Sequence, residues 1–296
     1  MATDFYTASV TKLPKPGIRS TRHWSRSISS LPASITPSQG EIKTRQLSPQ
    51  NVATAIRSLY HDGLVVVEDV IPHDSLNRLN QKMVTDAYTL QSKKENSPYK
   101  YNPGNIQQDA PPVLKYFDPE TFLNPIATQI TSTALDPRPN HSDADFDHPD
   151  HPFAYVVNIP LITMTPENGS TELWLGTHTD SGLHVQEGVH GDRASGRIMP
   201  NELERRRAIR PPSQPAVHKK SLFLRDLRLW HAGVAMIHFA PWYRNPMRLE
   251  LAEDLRLMIE GQSSLEVPVD WVSEADATLR YLTRTFGNSY DFSQGQ

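Results

Sequence analysis

Apolar and polar positions along this chain follow two different periods. Ser48-Pro49 suits a helix start, with the serine as N-cap and the proline at the first helical position. The spacing predicts a helix to about Tyr60, ended by His61-Asp-Gly63. Leu64-Val-Val-Val67 is β-branched and reads as a strand. A second helix opens at Asp74 or Ser75, with Leu76, Leu79, Met83 and Ala87 on one face. Residues 92–112 are polar and rich in proline, asparagine and glutamine, the composition of a long loop. From Phe153 the period turns to β. Strands are expected over 154–161, 170–175, 221–230 and 235–239, with a turn at Pro166-Glu-Asn-Gly169. A polar excursion over 179–215 carries a short exposed helix around 202–207, and helices close the chain at 253–260 and 274–286. Short helices followed by turn-punctuated strands, without internal repeats, predict an α+β domain with a two-sheet jelly roll at its core.

Composition narrows the chemistry. The 296 residues carry no cysteine, which excludes disulfides, iron–sulfur ligation, thiolate zinc sites and cysteine nucleophiles. It also fits a reducing compartment, so a cytoplasmic location is expected. A net charge of −3 gives no reason to expect a nucleic acid or an anionic membrane as partner. The arginine run in Glu202-Leu-Glu-Arg-Arg-Arg207 reads as a solvated helical face. Residues 1–45 are expected as an N-terminal tail, 46–288 as one domain and 289–296 as a loose end. The early part of that tail has the basic, serine-containing character of a mitochondrial presequence, but Pro14, Pro16, Pro32 and Pro37 oppose its amphipathic helix.

The candidate chemistry lies in His141-Ser-Asp143 and in His231 of Arg225-Asp-Leu-Arg-Leu-Trp-His231. Two imidazoles and a carboxylate are the ligand set of mononuclear non-haem iron, which leaves the remaining positions open to co-substrate and dioxygen. Residues two apart in a strand point the same way, so His141 and Asp143 can chelate from one segment. His231 follows 231 − 143 = 88 residues later, enough chain to bring a third ligand back. The triplet alone is weak, because His148/Asp150 and His178/Asp180 repeat it. Asn158 in an apolar strand needs hydrogen-bond partners. Arg225 and Asp226 are expected to form a local ion pair, with strand faces continuing through Arg228 and Trp230.

The surrounding motifs carry a resemblance. His141-Ser-Asp-Ala-Asp-Phe146, Pro152-Phe-Ala-Tyr-Val-Val-Asn-Ile-Pro-Leu161, Met164-Thr-Pro-Glu-Asn-Gly169, Ser170-Thr-Glu-Leu-Trp-Leu-Gly-Thr-His178 and the segment from Arg225 to His231 recur in order. Together they resemble the phytanoyl-CoA dioxygenase family of iron(II)/2-oxoglutarate-dependent oxygenases, in its fungal secondary-metabolism branch. The likeness covers most of residues 50–245. It implies a double-stranded β-helix (cupin-like) core with flanking helices, Fe(II) held by His141, Asp143 and His231, and 2-oxoglutarate as co-substrate. It also implies that Thr171, Trp174 and Gln107 line the co-substrate site, and that dioxygen oxidises a C–H bond of a small organic molecule. A homodimer, or a heterodimer with a paralogue, is the expected assembly. The other class of function it allows is that of a non-catalytic family member supporting an active paralogue.

The chain departs from that family in two places. The family's arginine on the strand after the second histidine, whose planar fork takes the distal carboxylate of 2-oxoglutarate, has no counterpart there. Trp230-His-Ala-Gly233 runs directly into Val234-Ala-Met-Ile-His-Phe239, and Arg244 lies 244 − 231 = 13 residues beyond His231. Before the first ligand, Asn140 alone separates Pro137-Arg-Pro139 from His141.

Overall fold

The computed structural model describes residues 29–92, 111–135, 155–180, 182–187, 197–232, 237–239, 249–261, 267 and 269–282. In chain order the elements begin with β1 (Ala33–Ile35), α1 (Gln39–Thr44), α2 (Pro49–Asp62), β2 (Leu64–Val67) and α3 (His73–Ser92). They continue with α4 (Pro119–Phe122), α5 (Pro125–Ala134), β3 (Tyr155–Asn158), β4 (Glu172–Leu173), α6 (Pro200–Ile209), β5 (Leu222–Asp226) and β6 (His231–Ala232). The last are β7 (Ile237–Phe239), β8 (Leu249–Ala252), α7 (Arg256–Glu260), β9 (Val269–Val272) and α8 (Glu274–Tyr281). This is a mixed α+β architecture. No helix among the described residues is long and apolar enough to cross a membrane.

Local chemistry explains the helix starts. Ser48 caps α2, its hydroxyl accepting from the Asn51 amide with Pro49 behind it. Asn124 does the same for α5, where Oδ1 accepts from the Ile126 and Ala127 amides. Gly63 ends α2 at φ +75°, a left-handed conformation that favours glycine, and a Cβ there would lie 2.6 Å from the His178 ring.

A five-stranded sheet runs in the order β1-β2-β5-β3-β7. β1 is parallel to β2, and the other pairings are antiparallel, with Val65 opposite Leu224 and Val157 opposite Leu224 from the other side. Alternation divides the sheet cleanly. Val65, Val67, Leu222, Leu224, Tyr155 and Val157 pack against Leu59 of α2 and Ile126 and Ile130 of α5. Leu64, Val66 and Phe223 face the other way, against Leu173, Leu175, Leu229 and Val217. The second layer is the β4-β6 pair, in which Leu173 lies opposite His231. A third unit, the parallel β8-β9 pair with α7, buries Leu251, Leu255 and Ile259 against Phe117 and Leu123.

Several expectations need correction. The segment assigned to a tail up to residue 45 carries β1 and α1, and Glu41 of α1 reaches across to the start of α2. β5 stops at Asp226 instead of running to Trp230. The Asp226 carboxylate accepts from the Arg228 amide at 2.9 Å and turns the chain, and β6 then joins the other sheet. The strand expected over 170–175 is confined to β4. α5 and the β8-β9 pair were not anticipated: α5 is rich in β-branched residues and threonine, which blur a helical pattern. Residues 283–296, with the expected C-terminal end, lie outside the described residues.

Candidate metal centre

His231 is placed by the register of a very short ladder. It lies directly opposite Leu173, and directly opposed side chains of an antiparallel pair share a face. Leu173 points toward the apolar layer between the two sheets, so His231 leaves its strand on that same side, although it is exposed there. Alternation sends Trp230 outward, where it meets Trp174, Val185, Ile198 and Leu203.

Three hydrogen bonds hold β6 in this register. The Trp174 amide donates to the Trp230 carbonyl at 3.1 Å. The Trp230 amide donates to Thr177 Oγ1 at 2.9 Å, and that hydroxyl donates to the Trp174 carbonyl at 2.7 Å. Thr177 is fully buried. On the other edge of β4, Leu173 and Ser213 exchange both backbone bonds, and Gln214 Nε2 donates to the Ser170 carbonyl. The turn before β6 is fixed by a fork in which Arg228 Nε and Nη2 each donate at 2.9 Å to one oxygen of Asp226.

His231 Nδ1 lies 2.9 Å from the Leu229 carbonyl. A carbonyl only accepts, so Nδ1 carries the proton and Nε2 presents its lone pair, the arrangement a metal-ligating histidine needs. The residue is exposed at its strand edge, while nearby protein removes part of the water around its ring. That desolvation, and then the positive charge of Arg225, push its pKa down to about 4, so it is neutral at physiological pH.

Of the other expected ligands, His141 and Asp143 lie outside the described residues, as do Gln107 and the His148/Asp150 triplet. The described residues alone contain no group of three metal-ligating side chains. His178 is a buried core histidine: Nε2 lies 3.2 Å from the Tyr60 carbonyl, Nδ1 faces Gly63, and burial lowers its pKa. Asp180, the other half of that triplet, lies 3.8 Å from Arg205. His178 therefore serves the packing of the fold, while Asp180 stands at the surface.

Thr171 is buried, and alternation from Leu173 puts it on the same inward face as His231. Trp174 is on the opposite face. Its Nε1 donates to Glu172 at 2.8 Å and Arg207 stacks 5.1 Å from its ring, so it anchors α6 instead of walling the space between the sheets. Asn158 is buried in β3, opposite Phe223.

The expected Arg225–Asp226 pair is not formed as such. Neighbours in a strand point to opposite faces, and Asp226 is forked by Arg228 instead. Arg225 is completely buried with Phe223 on the inward face, where its charge reaches His231. The alternation of Leu222-Phe-Leu-Arg-Asp226 already contained that signal. Nothing in the sequence pattern marked Thr177, or the staple in which Arg210 donates to Asp62 at 2.6 Å and to the Ser29 carbonyl.

No family model matches the chain. Its backbone is similar to that of AviO1 from Streptomyces viridochromogenes Tue57, at 17% identity over 66% of this chain and 96% of that one, with a TM-score of 0.40. It is also similar to EctD from S. alaskensis in its apoform, at 15% identity over 62% of this chain and 70% of that one, again with a TM-score of 0.40.

Proposed function

We propose that this chain is an iron(II)/2-oxoglutarate-dependent oxygenase of the phytanoyl-CoA dioxygenase type, built on a double-stranded β-helix, that oxidises a C–H bond of a small secondary metabolite. The observation that carries the reading is His231. It shares a strand face with Leu173, is neutral, and has its proton on Nδ1 so that Nε2 can bind a metal. That donor fits iron in a set completed by His141 and Asp143. When bound, the iron supplies dioxygen activation coupled to decarboxylation of 2-oxoglutarate.

The residues of the chain bind, orient and keep water out. Leu173, Leu175, Leu229 and Phe223 form an apolar layer beside the ligand, which strengthens electrostatic contacts there. Thr171 on the same face, and Gln107, would hydrogen-bond a carboxylate of the co-substrate. The substrate is a small molecule with dioxygen as the second partner, and we propose a homodimer as the working assembly.

Anaerobic addition of Fe(II) and 2-oxoglutarate should give a weak visible charge-transfer band that disappears in His141→Ala and His231→Ala. Oxygen should then produce succinate. The reading fails if the wild-type chain shows neither. A second reading has one observation in its favour, the missing arginine after His231: the chain would support an active paralogue. Iron binding without succinate, with turnover restored only in a co-purified pair, would favour it.

A further inference from the structure

We propose that Thr177 is a positioning residue for His231. The inference rests on the metal-binding reading above but goes beyond it, by assigning the alignment of the ligand to one hydroxyl on a different segment.

Among the described residues β6 is two residues long and pairs with β4 alone, itself two residues long. A ladder of that length sets register weakly on its own. The Thr177 hydroxyl lies between the segments and uses both of its capacities, donating to the Trp174 carbonyl at 2.7 Å and accepting from the Trp230 amide at 2.9 Å. It thereby extends the ladder by one position through a side chain. Trp230 sits between Leu229 and His231, so fixing its amide fixes the spacing between the Leu229 carbonyl and the His231 ring. That spacing, 2.9 Å to Nδ1, decides which ring nitrogen carries the proton.

Burial adds weight. Thr177 has no exposed surface, so its hydroxyl bonds to the Trp174 carbonyl and the Trp230 amide are shielded from competing water. The next residue, His178, is buried with its ring against Gly63, so the turn that carries Thr177 is anchored in the core.

The test compares Thr177→Val, nearly isosteric but without the hydroxyl, with Thr177→Ser, which keeps it. Long-range nitrogen–proton NMR on the metal-free full chain reads the His231 tautomer directly. Wild type and Thr177→Ser should show a single form protonated on Nδ1. Thr177→Val should show a mixture of tautomers, with Co(II) affinity about tenfold weaker. Should the valine not fold, Thr177→Ala removes the hydroxyl without adding bulk and makes the same prediction. An unchanged tautomer and unchanged Co(II) affinity in a folded variant lacking the hydroxyl would overturn the assignment. If wild type binds no Co(II) while the tautomer still follows the hydroxyl, positioning by Thr177 stands and the metal reading falls.

Discussion

The two faces of the five-stranded sheet are held by different physics. Toward α2 and α5 the contact is almost entirely aliphatic, with Leu59, Ile130, Val65 and Leu224 at most 1% exposed. Toward β4 and β6 a smaller apolar layer is bordered by specific polar links: the Thr177 bridge, the Asp226–Arg228 fork, and the Arg210 contacts with Asp62 and Ser29. Apolar burial is non-directional and tolerates small shifts, whereas hydrogen bonds lose strength steeply with geometry. The helix side can therefore supply stability without fixing any atom closely, and the ligand side fixes a ring nitrogen at the cost of redundancy.

Substitutions on each side can break or sharpen this contrast. The largest effect is expected for Asp226→Asn, which removes the negative charge and one of the two oxygens facing the nearly buried Arg228 guanidinium and loosens the turn before His231. A loss of about 4 kcal/mol in urea unfolding, together with weaker Co(II) binding, is expected. Leu59→Ala on the helix side should cost about 3 kcal/mol through lost burial and a cavity, but leave Co(II) affinity unchanged in the folded protein. Equal loss of affinity in the two variants would erase the distinction. Gly63→Ala sits between the regions. Strain at φ +75° and a Cβ 2.6 Å from His178 should cost about 2 kcal/mol and disturb the His178 ring signals.

The smallest effect is expected at Glu41, far from the ligand side. Its carboxylate accepts from the Ser48 amide and the Ser38 amide, bonds that hold its pKa down to about 2 from an ordinary 4.5, and it also accepts from Asn51. Because the folded value is the lower one, the contribution is full above pH 4.5 and is lost as pH falls toward 2. Glu41→Gln should lower the urea midpoint by the equivalent of about 1 kcal/mol at neutral pH. The gap to wild type should close under acid. A gap that persists near pH 2 would count against this role for the carboxylate.

What could be read from the sequence divides along the same line. Ser48, Pro49 and Gly63 announced α2, and the Leu64–Val67 run announced β2, because caps and β-branched runs act locally. The inward face of Arg225 was also present in the alternation of its strand. The break at Asp226 was not, because an aspartate turning the chain through the amide two residues on looks the same, in sequence, as an aspartate on a strand face. Thr177 was invisible for a related reason. Its value depends on meeting a strand 53 residues later, and no local pattern records that meeting.

The Ser29 carbonyl, which accepts from Nε and Nη2 of Arg210 across a separation of 181 residues, has a consequence for the order of assembly. Chains are made from the N-terminus, so this carbonyl emerges from the ribosome early and its partner long afterwards. β1 can pair with β2 once the chain between them exists, but the link to Arg210 must wait for the whole separation to be made. The segment leading into β1 is thus secured only after Arg210 has been made, well after β1 and β2 can pair.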